Sequence, residues 1–373
     1  MALFKKESYL GIDIGTSTMK VVELGVRGAK PVLKNYAYTH FESNLVYSKG
    51  VAAVSASAKK LAQVLNTAEI KSNKAIMALP GFAVFTTVLE LPEMPHEELE
   101  KAIRYESKYY IPVPLEEVVL GWHLINPPEK ISIIEKITET IGKFGFLVGK
   151  KVKKEKRPKR KIQVFVTAAP VDLVKKYTEL SKILGLKLLA LEAEAFPMIR
   201  TLIRGSKEPF LIIDLGSHAT TVSIVDNGYL QATHGIDIGG NNITQAISRG
   251  MGIDFERAEE FKIRYGISGV KGSEALPGIV RSVFGVIKKE VAHLSKMYYN
   301  KSGRGIKKAV LIGGSANLKG LPDYFRRELD LEAKVGNPWE GIEYPPILEN
   351  RLLELGPRFS VAVGLALKNL QKT

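Results

Sequence analysis

A chain of 373 residues, 45% hydrophobic and 25% charged, has an ordinary globular composition and is long enough for two or more domains. It contains no cysteine, which excludes disulfides and thiolate metal sites and fits a reducing compartment. The net charge of +15 points toward nucleic acid or an anionic membrane, but about half of it lies in one run, "KKVKKEKRPKRK" (Lys150 to Lys161), with nine basic residues against one acid.

The opening "MALFKKESYLGIDIG" has no apolar run of signal-peptide length before its first polar residues, so none is expected. No stretch approaches the ~20 apolar residues that span a bilayer, and the expected location is the cytoplasm. "YLGIDIG" and "KVVELGV" flank the polar turn "TSTM" and predict a β-hairpin. "GVAAVSASAKKLAQVLNTAEI" has helical spacing. "KAIMALP" and "FTTVLELP" predict strands, with "PG" between them. "PHEELEKAIRYESKYY" predicts a helix with acids in its first turn, and "VVLGWHLI" a strand. After the basic run, "IQVFVTAAP" resumes a strand, so the charged segment reads as an insertion at a hairpin tip. Such a run is more often a solvated loop than a nucleic-acid site, and few aromatics interleave with it for base stacking, so nucleic acid is not expected as a partner.

"VDLVKKYTELSKILGL" predicts an amphipathic helix, and "KLLALEAEAFPMIRTLI" a strand that continues as a helix. "PFLIIDLGSHATTVSIVDNGYL" predicts a second hairpin. One helical stretch is expected from Asn242 to about Tyr265 and another from about Leu276 to Tyr299. "KAVLIGGSA" is a strand entering a Gly-rich turn, "LPDYFRRELD" a helix, and "FSVAVGLALKNL" a last apolar helix. Alternating strands and helices place the chain in the α/β class.

The pentapeptide "GIDIG" occurs twice, at Gly11 and at Gly235, in unlike contexts. The first is followed by hydroxyls and a strand, the second by "GNNITQAISRG" and a helix. The true counterpart of the first is "IIDLG", Ile212 to Gly216. Aligning Asp13 with Asp214 places Gly15 on Gly216, Thr16 on Ser217 and Val21 on Val222, which is an internal repeat of the fold. In such a hairpin the strand delivers an Asp and then a Gly. The Gly lets backbone approach a ligand, and the turn presents N–H groups and hydroxyls to phosphate oxygens. Two such hairpins facing one another can grip a triphosphate, with both carboxylates holding Mg²⁺ largely through its waters. A third element, "VLIGGSANLKGL" (Val310 to Leu321), offers a flat platform for a purine and ribose. A single hairpin of this kind would mean only an Asp at a turn.

Together these elements resemble the actin-like ATPase superfamily. The chain as a whole is similar to its PilM family of type IV pilus assembly proteins. The resemblance rests on "YLGIDIGTSTMKVVEL", "LKLLALEAEAF", "LIIDLGSHATTVSIVDNG", "GIDIGGNNITQAIS", "DFERAEEFKIRYG", "VLIGGSANLKGL" and "FSVAVGLALK", and most sharply on "ELEKAIRYESKYYIPVPLEEVVLGWHLI". It implies an actin-like two-lobe fold with duplicated ribonuclease-H-like domains and an FtsA/PilM-type 1C subdomain. Lobe 1A would span 1–82 with 168–205 and 345–373. Subdomain 1C would span 83–167 with the basic insertion 130–161, lobe 2A would span 206–245 and 305–344, and subdomain 2B would span 246–304.

The resemblance also implies ATP and Mg²⁺ as cofactors. Asp13, Gly15, Thr16, Ser17, Thr18 and Lys20 match its first phosphate loop, and Asp214, Gly216, Ser217, Thr220 and Thr221 its second, where His218 and Ala219 depart from the pattern. Asp13 and Asp214 would carry the metal. Glu192 matches the segment where relatives place a residue that orients the attacking water, so Glu192, Asp13 and Asp214 form the expected catalytic set. Gly239 and Gly240 would line the cleft, Glu259 and Lys262 would contact ribose and adenine, and Gly313, Gly314 and Ser315 match the adenosine loop. Each side chain has a plainer reading: Glu259 and Lys262 as a surface ion pair, Glu192 as a helix cap, Lys20 as an exposed strand residue.

The implied function is a cytoplasmic ATP-binding scaffold of the pilus inner-membrane complex, with slow hydrolysis at most. It would bind the cytoplasmic N-terminal peptide of a PilN-like membrane protein in a groove between 1A and 1C. The pilus assembly motor ATPase and a second copy of the chain are further expected partners, and Lys150 to Lys161 would rest against the anionic inner face of the membrane. A filament-forming FtsA- or MreB-like ATPase stands as an alternative. So does a sugar or acid kinase, which would need Asp172 or Asp237 as its base.

Overall fold

The computed structural model describes residues 7–41, 45–46, 51–125, 160–268 and 275–370. Of the basic run, Arg160 and Lys161 are described. The rest of the expected 130–161 insertion lies outside the described residues.

The opening hairpin pairs β1 (Ser8–Ile14) antiparallel with β2 (Thr18–Arg27), with Asp13 opposite Lys20. A further strand that the hairpin pattern does not announce, β3 (Lys30–His40), continues the meander beyond β2. α1 (Val51–Thr67) crosses to β4 (Lys74–Leu79), which lies parallel to β1, and β8 (Lys187–Ala193) joins parallel to β4. The sheet order is β3-β2-β1-β4-β8.

The second half repeats the arrangement. β9 (Phe210–Leu215), β10 (Thr220–Asp226) and β11 (Tyr229–Ile236) form the antiparallel meander. β12 (Lys308–Ile312) and β13 (Glu332–Val335) extend it in parallel, giving β11-β10-β9-β12-β13. Asp214 stands opposite Thr221, the place Lys20 holds in the first sheet. Order, direction and register coincide, so the duplication visible around two aspartates extends to two whole sheets. Their central strands are covered on both faces and therefore read as nearly unbroken apolar runs.

A third, antiparallel sheet departs from the first. Its order is β5 (Phe85–Pro92), β7 (Lys161–Pro170), β6 (Val118–Ile125). α2 (His96–Ser107) covers one face, burying Leu99 and Ile103 against Leu89, Leu91, Val164 and Val166.

α3 (Val171–Ile183) and α4 (Ala195–Leu202) flank β8. The helical stretch expected as one piece from Asn242 is two helices, α5 (Gly240–Met251) and α6 (Phe255–Tyr265). Gly252 ends the first at φ +64°, a conformation that costs glycine little. The Asp254 carboxylate then caps the second, accepting from the Arg257 N–H at 2.8 Å. α7 (Ala275–Ser302) and α8 (Leu321–Leu329) cover the second sheet. α9 (Glu349–Leu367) is buried along its last three turns, as an all-round apolar helix must be. Its Leu365 shares one cluster with Ile76 of β4, Met198 of α4, Ile212 of β9 and Val310 of β12, so this helix ties the two sheets together beneath the cleft between them. Among the described residues no helix is long and apolar enough to cross a membrane.

Candidate nucleotide site

The tips of both long hairpins, the Gly-rich turn after β12, α6 and α9 enclose one cavity of about 350 Å³. Asp13, Gly15, Thr16, Ser17, Thr18, Lys20, Asp214, Gly216, Ser217, Thr221, Gly240, Glu259, Lys262, Gly313, Gly314 and Ser315 all line it. Three expected residues do not. Thr220 is fully buried and donates to the Ile238 carbonyl at 2.7 Å, holding the β11 exit behind the wall. Gly239 is buried at the start of α5, where its N–H donates to Asn242 Oδ1 at 2.9 Å.

Glu192 is the third, and its expected role as water-orienting residue is corrected by its surroundings. Its side chain points away from the cavity to Arg200, with Nη1 and Nη2 at 3.1 and 3.0 Å, and accepts also from Lys368. Burial pushes its pKa up, but the two cations outweigh burial and hold it below the ordinary carboxylate range. Glu194, two residues on, faces the cavity instead. The chain leaves β8 after Ala193 and Glu194 adopts helical backbone angles, so its side chain escapes the strand alternation and turns into the cleft. It accepts from the Gly81 N–H at 2.9 Å.

At the hairpin end the electrostatics are tightly linked. Lys20 Nζ donates to Asp13 Oδ2 at 2.8 Å, and Asp13 is 4% exposed. Burial works against the lysine's charge, but Asp13, Asp214 and Glu194 together raise its pKa. Asp214 faces Thr221 rather than a cation. Burial pushes its pKa up to about 6, Lys20 pulling it down and Asp13 adding to the rise. Glu194 is pushed up to about 8 by burial first, then by Asp13 and Asp214. Three carboxyl groups thus share one ammonium. Among the described residues no group of three or more His, Asp or Glu side chains could hold a metal.

The hairpin tips touch each other. Ser217 Oγ donates to Ser17 Oγ at 2.8 Å, and His218 Nδ1 lies 3.1 Å from Thr16 Oγ1 and 3.2 Å from Ser17 Oγ. His218 itself is exposed on the rim.

The other end is built around Gly313, at φ +89°. A Cβ there would sit 2.4 Å from Asp214 Oδ1 and 2.6 Å from the Leu215 carbonyl, so only glycine fits. The Gly313 N–H donates to the Pro357 carbonyl of α9 at 3.0 Å, anchoring the turn to the central helix. Lys262 is 5% exposed, bonded to Glu259 at 2.6 Å, to Thr244 Oγ1 at 2.9 Å and to the Gly240 carbonyl at 3.1 Å. Burial lowers its pKa, Glu259 opposes that, and nearby Arg358 adds to it. This is a buried, three-partner ammonium rather than a surface ion pair.

The profile of the family described as type IV pilus assembly protein PilM matches residues 11–135 and 147–370. The chain belongs to the PilM family. A solved structure titled as a PilM–PilN type IV pilus biogenesis complex superposes with a TM-score of 0.78 at 26% identity, over 97% of this chain and 98% of that one. The cell division protein FtsA of Agrobacterium fabrum is 30% identical over 176 residues, 41% of this chain and 38% of the relative. The chain thus spans less than half the length of the first curated relatives it matches. FtsA of Enterococcus faecalis is 20% identical over 90% of this chain and 79% of the relative. MreB5 of Spiroplasma citri, solved with AMPPNP, shares the fold at a TM-score of 0.52 and 13% identity, over 98% and 97% of the two chains. The fold is therefore actin-like, α/β and two-lobed.

For a PilM chain, sequence reading missed Glu194, Phe255, Ile263, Leu318 and Arg358 among the cavity's lining. Glu194 lay in the quoted "LEAEAF", two positions from the residue chosen. Arg358 had no such signal: it is one of two arginines, with Arg351, in the polar first half of α9.

Proposed function

We propose that this protein is a nucleotide-gated scaffold of type IV pilus assembly, with ATP and Mg²⁺ in the cleft between its lobes. The observation that carries the reading is convergence. Two duplicated Asp–Gly hairpins and one Gly-rich turn, far apart in sequence, line a single cavity. Its donor set suits a hard, strongly hydrated cation bound to phosphate: Asp13 and Asp214 offer carboxylate oxygens, too few to complete a coordination shell without phosphate and water. Asp214, raised by burial beside Asp13, is poised to ionise when a cation arrives. When bound, Mg²⁺ would neutralise charge on the phosphates. Lys20 would pair with a phosphate oxygen, the Thr16, Ser17 and Ser217 hydroxyls would donate to the terminal phosphate, and Glu259 would accept from ribose. Glu194 replaces Glu192 as the residue that holds a water proton.

The lobes report nucleotide through differential affinity for open and closed cleft angles. The partner is the cytoplasmic N-terminal peptide of a PilN-like membrane protein, docked between the first lobe and the three-stranded sheet. The likeness to a PilM–PilN complex supports this. The domain limits given above, the assembly motor ATPase and self-association belong to the same proposal, as does membrane contact through Lys150 to Lys161. A kinase reading has less support, because Asp172 and Asp237 are exposed and outside the cavity lining.

The test is calorimetric titration of Mg²⁺·ATP into wild type and Asp214→Ala, with phosphate release followed in parallel and the PilN-like peptide titrated with and without nucleotide. Saturable binding lost in the variant, little turnover and nucleotide-dependent peptide affinity are expected. Absence of binding by wild type sinks the reading, and fast turnover only with an added metabolite favours a kinase.

A further inference from the structure

We infer that the turn Gly81–Ala83 is a lever that passes the state of the cleft to the three-stranded sheet, bearing on Thr221 and Gly235 of the second lobe. The inference rests on the nucleotide reading of the cleft and deepens it, because it names the parts through which a bound nucleotide regulates the sheet beside which the partner is proposed to dock.

The turn joins β4 to β5, so it is the covalent step from the first sheet to the third. Its near end lies in the cleft, where Pro80 and Phe82 line the cavity. The Gly81 N–H donates to Glu194 Oε2 at 2.9 Å, and Glu194 faces the same cavity. Its far end runs into β5 without slack. The ring of Pro80 fixes φ, here −57°, and the Ala83 N–H donates to the Pro80 carbonyl at 2.9 Å. Val84 is buried and extended, at φ −125° and ψ 144°, and leads directly to Phe85, opposite Ala168 of β7. A connection this stiff moves as a unit, so a displacement at Gly81 reaches β5 instead of being absorbed by a loop.

The second lobe sits against this turn. Thr221 lies opposite Asp214 of β9 and opposite Gly235 of β11, so the three form one row across the second sheet. A Cβ on Gly81 would stand 3.7 Å from Thr221 Cγ2, and a Cβ on Gly235 would stand 3.9 Å from Phe82 Cβ. The turn therefore rests on the row that ends at Asp214, a carboxylate proposed to meet the cation. β11 also lies against β5 and β6. A change of lobe angle shifts this row relative to Glu194, and it must either carry the turn along or open a gap beneath it. Close packing favours the first. Gly235 opens the second "GIDIG", and its missing side chain has a use there, since a strand glycine lets Phe82 seat on the β11 backbone.

The test is amide hydrogen exchange of β5, β6 and β7, with and without saturating Mg²⁺·ATP, in wild type, Gly235→Ala, Gly235→Leu and Phe82→Ala. ATP affinity and thermal melting of each are measured alongside. In wild type, Mg²⁺·ATP is expected to change exchange in β5 by roughly five- to a hundredfold, the usual range of coupling between two sites. Gly235→Ala adds one methyl at ordinary contact distance and keeps most of that response. Gly235→Leu wedges the turn off β11, and Phe82→Ala removes the ring from the same contact. Each should cut the response to less than about twofold while ATP still binds. The response is a ratio read at saturation, so a uniform effect of Phe82→Ala on ATP affinity cancels. If Gly235→Leu fails to fold, Phe82→Ala decides alone. A wild-type response in either of these two variants, once folded, overturns the inference and leaves the nucleotide reading standing. So does a wild type that binds ATP with no response in β5. Loss of the response in Gly235→Ala as well would trace it to the β11 backbone and overturn the Phe82 contact as its route. A wild type that binds no ATP overturns the nucleotide reading and this inference together.

Discussion

The two long hairpins share strand order, direction and register, yet they carry different electrostatics. In the first, Asp13 faces Lys20 across the ladder and is paired with it. In the second, the same position holds Thr221, and Asp214 has no cation of its own opposite. The first hairpin brings a charge-balanced carboxylate and, in the proposed function, a lysine that would meet phosphate. The second brings a carboxylate that burial keeps reluctant to ionise until a cation binds. A duplicated scaffold can thus divide labour by one substitution at one register position, with the backbone unchanged.

Breaking the first hairpin should cost most. Lys20→Met leaves Asp13 buried without its partner, which is expected to destabilise the protein by about 3–5 kcal/mol. Under the proposed function it would also remove a charge-assisted contact to phosphate, worth roughly ten- to a hundredfold in ATP affinity. Denaturant melts and ATP titration measure the two effects. If both stay near wild type, the lysine is a bystander. The converse experiment makes the second hairpin imitate the first. Thr221→Lys gives Asp214 a cation, so Mg²⁺ should no longer strengthen ATP binding, a loss on the order of tenfold judged by titrations with and without the metal. Undiminished Mg²⁺ dependence would remove Asp214 from the metal site.

The raised carboxyl groups predict a pH dependence of defined sign. Glu194 and Asp214 bind protons more tightly in the folded state than unfolded, where their pKa values are ordinary. Their contribution to stability is therefore full below about pH 4 and is lost as pH rises, through about 6 for Asp214 and about 8 for Glu194. Melting temperature should fall across that window, and Glu194→Gln should remove the upper part of the slope. Mg²⁺·ATP affinity moves the other way. It needs Asp214 ionised and should weaken as pH drops below about 6, an effect absent in Asp214→Asn. In the same region, Glu194→Gln should abolish whatever slow phosphate release occurs. Glu192→Gln should leave release intact and lower stability, since it strands Arg200 and Lys368. The reverse pattern would restore Glu192 to the cleft.

What was legible in the sequence was whatever periodicity and repetition encode. The Asp13 and Asp214 hairpins, the Gly313 turn and the apolar character of α9 were all readable, because alternation and glycine placement are local signals. β3, β11 and β13 were not, since edge or short strands bury little and their pattern is weak. The break between α5 and α6 depends on one left-handed Gly252 and one capping Asp254, two residues inside an otherwise helical pattern. Glu192 and Glu194 are indistinguishable by composition. Which one reaches the cleft is decided by where β8 gives way to helix, and element boundaries are what single sequences specify least. Arg358 reaches the cavity only because α9 is threaded between two lobes, a tertiary fact with no local signature.

The smallest expected effect belongs to the one residue that most visibly separates the two turns. The first tip reads Thr16-Ser17-Thr18, and the second reads Ser217-His218-Ala219. His218 Nδ1 sits within 3.1 to 3.4 Å of Thr16, Ser17 and Ser217, but one ring nitrogen satisfies one hydrogen bond well at a time. The residue is also exposed, so water replaces any contact it loses. His218→Ser, which restores a small hydroxyl turn, should therefore change stability by under about 1 kcal/mol and ATP affinity by less than about fivefold. The Ser217–Ser17 bond at 2.8 Å still joins the tips. A large loss of ATP affinity in His218→Ser would mean that the imidazole contacts the terminal phosphate. The second hairpin would then carry a phosphate cation after all, displaced by three residues from the position Lys20 holds in the first.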